Sequence, residues 1–122
     1  MDSLTITLRL PSPPLSPNWR GHWATKAKDV RLYRELANVM ARQALGRQDP
    51  PRWKAATVQA TFFFPDRRRR DKDNLLASLK AAFDGLADAG VVENDAGFTH
   101  LPVGVTVDGS KSRVVLTIGA PE

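Results

Sequence analysis

The sequence predicts one α+β domain over residues 1–122: a small mixed β-sheet of about four strands packed with two main helices, in the order β-α-β-α-β-β. Three observations carry this. Apolar residues alternate with polar ones near both ends of the chain. Two intervening segments instead repeat their apolar residues every three to four positions. No repeat and no Pro/Gly/Ser-rich linker divides the 122 residues, a length typical of one domain.

Each element follows from local chemistry. Leu4, Ile6, Leu8 and Leu10 alternate with Thr5, Thr7 and Arg9, the period of a half-buried strand, which Pro11 ends. Residues 11–23, PSPPLSPNWRGHW, are proline-rich and read as a loop. Thr25 is the expected N-cap of a helix over 26–46, whose stripe is Val30, Tyr33, Leu36, Ala37, Met40, Ala44 and Leu45, with Gly46 as its stop. RQDPPR (47–52) is a polar turn, and 53–64 is a strand with Val58, Ala60 and Phe62 on one face. Leu75, Leu79, Ala82, Phe83 and Leu86 draw a second helix over about 74–88, capped by Asp73 and closed by a left-handed Gly90. Residues 91–98 are a short extended piece and a loop. VGVTV (103–107) and SRVVLTIG (112–119) flank Asp108-Gly109, which predicts a closing hairpin.

Composition narrows the function. There is no cysteine, which excludes disulfide scaffolds, thiolate zinc sites and cysteine nucleophiles, and two histidines argue against a His-rich metal site. No apolar run reaches the ~20 residues of a membrane helix, and the N-terminus lacks a signal-peptide core, so a cytoplasmic protein without membrane contact is expected. Eighteen Lys and Arg against 13 Asp and Glu give a formal charge of +5 and a pI near 10.1. This balance favours an anionic partner, and nucleic acid is the natural one.

The charge is concentrated in DRRRRDKDN (66–74). Arg67, Arg68, Arg69, Arg70 and Lys72 suit phosphate oxygens through forked or point-charge donors. Asp71 and Asp73 stand directly after them, where carboxylates either pair with the arginines or share a hard divalent cation that bridges to a phosphodiester. At ~100° per residue, a continuous helix would bring Lys80 and Asp84 round to the side of Asp73, opposite the apolar stripe. Lys80 then either stabilises charge on a phosphate or forms an ordinary i,i+4 ion pair with Asp84. Asp95, in ENDA, is a third acid. It either returns towards Asp71 and Asp73 along five residues, a span of up to ~17 Å, or simply makes a turn with Asn94. In the 11–23 loop, Trp19, Arg20, His22 and Trp23 either stack on bases and touch phosphates or anchor the loop to the core.

These residues resemble the RusA-like Holliday junction resolvases, endodeoxyribonucleases of bacteria and their phages. The resemblance rests on the arginines followed by Asp71-Lys72-Asp73-Asn74, on Leu79-Lys80-Ala81-Ala82-Phe83-Asp84, on Ala89-Gly90 and on Asn94-Asp95. The opening strand with Pro13-Pro14, Ser16 and Asn18, and the closing hairpin, resemble the family too, so most of the chain is covered. The resemblance implies a Mg²⁺-dependent homodimer, with Mn²⁺ able to substitute, that resolves four-way DNA junctions by paired symmetric nicks in recombination and repair. It places Asp71, Asp73 and Asp95 on the family's metal-binding acids and Lys80 on its essential lysine. Two departures stand out. The stretch from the paired acids to the lysine is longer by about one helical turn, Leu76 to Leu79, and Asn94 stands where an acid is frequent. The alternatives are a nuclease with broader branched-DNA specificity and a non-catalytic DNA-binding module in which Asp71 and Asp73 are helix caps.

Overall fold

The computed structural model describes residues 2–120. Five strands and two main helices form the predicted α+β domain: β1 (Ser3–Leu8), α1 (Trp23–Leu45), β2 (Ala56–Phe64), α2 (Lys72–Ala77), α3 (Lys80–Asp88), β3 (Phe98–His100), β4 (Gly104–Val107) and β5 (Arg113–Gly119). Single 3-10 turns at Pro13–Leu15 and Asp95–Gly97 complete the set.

The sheet is built on β2. Its nine residues alternate between fully and half-buried positions, so one whole face enters the core. On one edge β2 pairs antiparallel with β5, which pairs antiparallel with β1. On the other edge it pairs in parallel first with β3 (Ala56 opposite Phe98) and then with β4 (Thr61 opposite Gly104). Pro102 lies between those two strands, where a residue without an N–H interrupts a ladder. The Gln59 side-chain amide donates to the Pro102 carbonyl across the gap. Leu4, Ile6 and Leu8 of β1, Val58, Ala60 and Phe62 of β2, and Val114, Leu116 and Ile118 of β5 form the buried face. Tyr33, Ala37, Ala41 and Leu45 of α1 and Ala82, Phe83 and Leu86 of α3 cover it.

Strands 103–107 and 112–119 exist but do not pair as a hairpin. They lie on opposite edges of β2. The Asp108-Gly109 turn does form, with Asp108 Oδ1 accepting from the Ser110 N–H (2.9 Å) and hydroxyl (2.8 Å). The Asp108 N–H donates to the Phe64 carbonyl (2.8 Å), so the turn carries the chain over the end of β2. Turn chemistry fixed the reversal, but the long apolar β2 took both partners.

The helices differ from expectation at their ends. The first begins at Trp23, capped by His22, whose Nδ1 accepts from the Ala24 N–H (3.1 Å), rather than after Thr25. Ala41, not the exposed Ala44, completes its buried stripe. The second is two helices. Ser78 Oγ donates back to the Leu75 carbonyl (2.6 Å), and the Leu79 N–H reaches only to Leu76 (3.0 Å). This tightened turn ends α2 and restarts the chain as a separate helix, α3. Asp71, not Asp73, is the N-cap of α2. Gly90 is left-handed as expected, with φ +82°, and the Val91 N–H returns to the Leu86 carbonyl (3.1 Å).

Candidate functional site

The α3 end of the site is assembled from three side chains. Lys80 is the first residue of α3 and Asp84 follows one turn later, so the Lys80 ammonium reaches Asp84 Oδ1 at 2.8 Å. Asp95 comes back to the same ammonium and forms a second ion pair with it. The return is pinned by backbone: the Trp53 N–H donates to the Val91 carbonyl (3.1 Å) and the Glu93 N–H to the Trp53 carbonyl (3.0 Å). Asn94 Oδ1 then accepts from the Ala96 N–H (2.9 Å) and turns Asp95 inwards. The turn reading of Asn94 holds, and the chain does return, but it brings Asp95 to Lys80 and not to Asp71 and Asp73. The hydrogen bonds that Lys80 donates to Asp84 and then to Asp95 raise its pKa, and the second of these bonds holds the Asp95 carboxyl below its usual range. The Lys80 side chain remains 66% exposed, so the ammonium faces solvent rather than a sealed core.

A cavity of about 240 Å³ opens beside this cluster, lined by Asp84, Asp95, Glu93, Asn94 and Arg34. Arg34 is held at its edge by a two-pronged bond to Asp88, at 2.6 and 2.8 Å. On the other side, Lys80 and Asp84 share a cavity of about 250 Å³ with Lys26 of α1 and Leu15 of the proline-rich loop.

The α2 end carries the other two predicted acids. Asp71 Oδ1 accepts from the N–H groups of Asp73 (2.9 Å) and Asn74 (3.2 Å), a regular N-cap. Among the described residues, the Asp73 carboxylate makes no hydrogen bond or ion pair. Asp71 lines a cavity of about 330 Å³ with Leu10, Phe64 and Asn74. Asp73 lines another, of about 320 Å³, with Lys72 and His100.

The predicted site residues thus fall into two groups, Asp71 with Asp73 and Lys80 with Asp95. Asp73, Lys80 and Asp84 do not share the face of one helix, because the chain turns at Ser78 and Leu79. The carboxylates suit Mg²⁺ in kind, being hard oxygen donors, with Asp73 and Asp71 Oδ2 unengaged among the described residues. The Lys80 ammonium between Asp84 and Asp95 marks a second position where positive charge is held. Among the described residues, no three His, Asp or Glu side chains stand close enough to hold one ion.

The arginines divide as well. Arg70 is structural: its guanidinium lies 3.6 Å over the Phe64 ring and donates to Asp66 Oδ1 and to the Arg68 carbonyl, both at 2.8 Å. Asp66 also caps the Arg68 N–H (3.0 Å), and these bonds lower its pKa. Arg67 and Arg69 point outwards without partners among the described residues, and Lys72 is exposed. The sequence undervalued three groups here. Asp84 carried a signal in its i,i+4 spacing to Lys80. Lys26 and His100 carried none, since only the tertiary fold brings them beside Lys80 and Asp73. The His100 ring lies 4.7 Å from that of Phe83, and burial lowers its pKa.

No helix among the described residues is long and apolar enough to cross a membrane. No family model matches the chain. It is 37% identical over 116 residues to an uncharacterized protein of Xylella fastidiosa (strain Temecula1), spanning 93% of this chain and 74% of the relative. The chain belongs to the same family as that protein.

Proposed function

We propose that this protein is a Mg²⁺-dependent, structure-selective endodeoxyribonuclease that acts as a homodimer on four-way DNA junctions. The observation that carries the reading is Lys80, held by Asp84 and Asp95 in a solvent-facing cluster, with the arginine-rich approach to Asp71 and Asp73 on the adjoining helix. This is the set of residues on which the resemblance to RusA-like resolvases rests. The resemblance assigns the metal to Asp71, Asp73 and Asp95. Here Asp95 is paired with Lys80, so Asp71 and Asp73 would hold the ion first and Asp95 would join them on leaving Lys80. The bound metal would supply polarisation of the phosphodiester and a more acidic water. The chain's own residues do the rest. Arg67, Arg69 and Lys72 bind backbone phosphates flanking the cleaved one. Arg70 keeps the approach segment folded against Phe64 and so aims its neighbours. Lys80 balances the extra negative charge of the transition state, and Asp84 fixes where its ammonium sits. Phosphate contacts carry no base information, so selectivity comes from branch shape and from the matching of a two-fold substrate by a two-fold dimer.

An end-labelled four-way junction, incubated with and without Mg²⁺ beside a flap and a linear duplex, tests this. Paired symmetric nicks are expected in the junction, with metal only, and their loss in Asp71→Asn, Asp73→Asn, Asp95→Asn and Lys80→Met. Cleavage of every branched form would leave a nuclease of broader specificity. Binding without cleavage in Mg²⁺ or Mn²⁺ would leave a DNA-binding module and make the aspartates structural.

A further inference from the structure

The structure separates the two tryptophans of the proline-rich loop. Trp19 is the anchor: its ring folds back over Gly21, where any Cβ would collide with it, and its indole nitrogen is shut away from solvent. Trp23 is 76% exposed, the most exposed large apolar side chain among the described residues. It is not loosely held. It opens α1, and its ring stacks on His22 at 5.6 Å between centroids and 25° between planes. His22 is itself fixed by accepting the Ala24 N–H. A stacked aromatic pair is therefore presented to solvent, where burial would have been the ordinary use of so much apolar surface.

The surroundings say what would cover it. Arg20, Lys26, Lys28 and Arg31 lie close to the pair in the sequence, and the one acid among residues 20–33, Asp29, accepts a hydrogen bond from the Ser12 hydroxyl at 2.7 Å. An exposed aromatic face on a cation-rich stretch of chain fits a base with its phosphates better than an apolar protein surface. Position supports the same occupant. Lys26 lies one helical turn from Trp23, a rise of about 4.5 Å, and lines the same cavity as Lys80 and Asp84. The geometry points to Trp23, backed by His22, as a stacking platform for a nucleobase unstacked at the branch point, with Lys26 on the phosphate between that base and the Lys80 cluster. This inference rests on the DNA-cleaving function proposed above and adds the means by which a branch is told from a duplex.

The test is binding of the full-length protein, in Ca²⁺ without Mg²⁺, to a four-way junction carrying 2-aminopurine at the bases flanking the branch point. A duplex with 2-aminopurine inside serves as the reference. Trp23→Ala is compared with Trp23→Phe and the parent, and far-UV circular dichroism confirms the fold, which an exposed side chain does not hold up. Trp23→Ala is expected to weaken junction binding by roughly 5- to 100-fold, to leave duplex binding within about twofold, and to abolish the 2-aminopurine change. Trp23→Phe should restore most of both. Junction binding and 2-aminopurine signals that do not respond to Trp23→Ala would overturn the platform and leave the nuclease reading standing. No binding to any DNA would overturn both. A change of oligomeric state in Trp23→Ala, with the junction signal intact, would reassign the face to protein contact and overturn the platform alone.

Discussion

Asp71 serves two masters, and the two can be separated by chemistry. Its Oδ1 caps α2 by accepting two N–H groups, which needs only a short side chain with a carbonyl oxygen. The proposed metal role needs a negative charge. Asparagine caps as well as aspartate does but brings no charge, whereas alanine provides neither. Asp71→Ala should therefore cost about 1 kcal/mol of stability, read as a lowered midpoint in urea, while Asp71→Asn should unfold within about 0.5 kcal/mol of the parent. Both should fail to cleave a junction in Mg²⁺. Cleavage retained in Asp71→Asn but not in Asp71→Ala would show that the cap, not the charge, is what the activity requires. The same reasoning explains why Asp73, which caps nothing, gives the cleaner probe of charge. It also explains why Arg70 is a poor probe of phosphate binding, since its loss would first release the segment from Phe64.

At the scale of elements, the approach of α1 to α3 decides where Lys80 and Asp84 stand. The crossing is made by small residues: Ala37 of α1 meets Gly85 of α3, next to Asp84. A Cβ on Gly85 would collide with the Arg34 carbonyl, which is backbone and has nowhere to go. Gly85→Ala should cost roughly 1–3 kcal/mol or more, as overpacking does, and should also loosen the Arg34–Asp88 bond beside the site. Gly109→Ala, with open space around its added carbon, should be neutral within about 0.5 kcal/mol. Equal midpoints in urea for the two variants would mean that the helices adjust freely. The sequence made much of this level legible, because periodicity reports burial. Leu4, Ile6, Leu8, Val58, Ala60, Phe62, Leu79, Phe83 and Leu86 are all buried where alternation or helical spacing puts them. Partners and breaks were less legible. The apolar stripe of Leu75, Leu79 and Phe83 runs on through Ser78, so periodicity sees one helix. The break is written in a serine hydroxyl that competes for a carbonyl. Likewise Asp108-Gly109 announces a turn but not which edge the next strand will take. The charged cluster was half legible: the Lys80–Asp84 spacing is local, while the return of Asp95 depends on Trp53, some forty residues earlier in the chain.

Across the whole molecule, the charge balance sets how the fold responds to pH. Asp66, Asp88, Asp95 and Asp108 all have pKa values held below the ordinary carboxylate value, by bonds to Arg68 and Arg70, to Arg34, to Lys80, and to Ser110 and Arg113 respectively. Between the lowered native value and the unfolded value, about 3.9 for aspartate, the unfolded chain binds more protons than the native one. Stability is therefore fully present above about pH 4 and drains away as acid titrates these groups through their native values. His100 adds an earlier step. Burial lowers its pKa, so the native state prefers the neutral ring, and protonation from about pH 6.5 downwards begins to favour the unfolded chain. Lys80 works at the other end. Its pKa is raised, so its contribution holds below the unfolded value and is lost only as strong alkali reaches the native one. With a net charge of +5 already repelling itself at neutral pH, each protonated aspartate also removes a compensating negative charge. The melting temperature should thus be highest from neutral to mildly alkaline pH, decline gently between pH 7 and 5, and fall steeply below 4. Calorimetry at pH 8, 5 and 3 reads this directly. His100→Gln should flatten the decline between pH 7 and 5 and leave the steep acid limb in place, whereas Asp95→Asn should reduce the steepness of the acid limb alone. An unchanged melting temperature at pH 3 would mean that the aspartate pairs seen around the site contribute nothing to holding the native state.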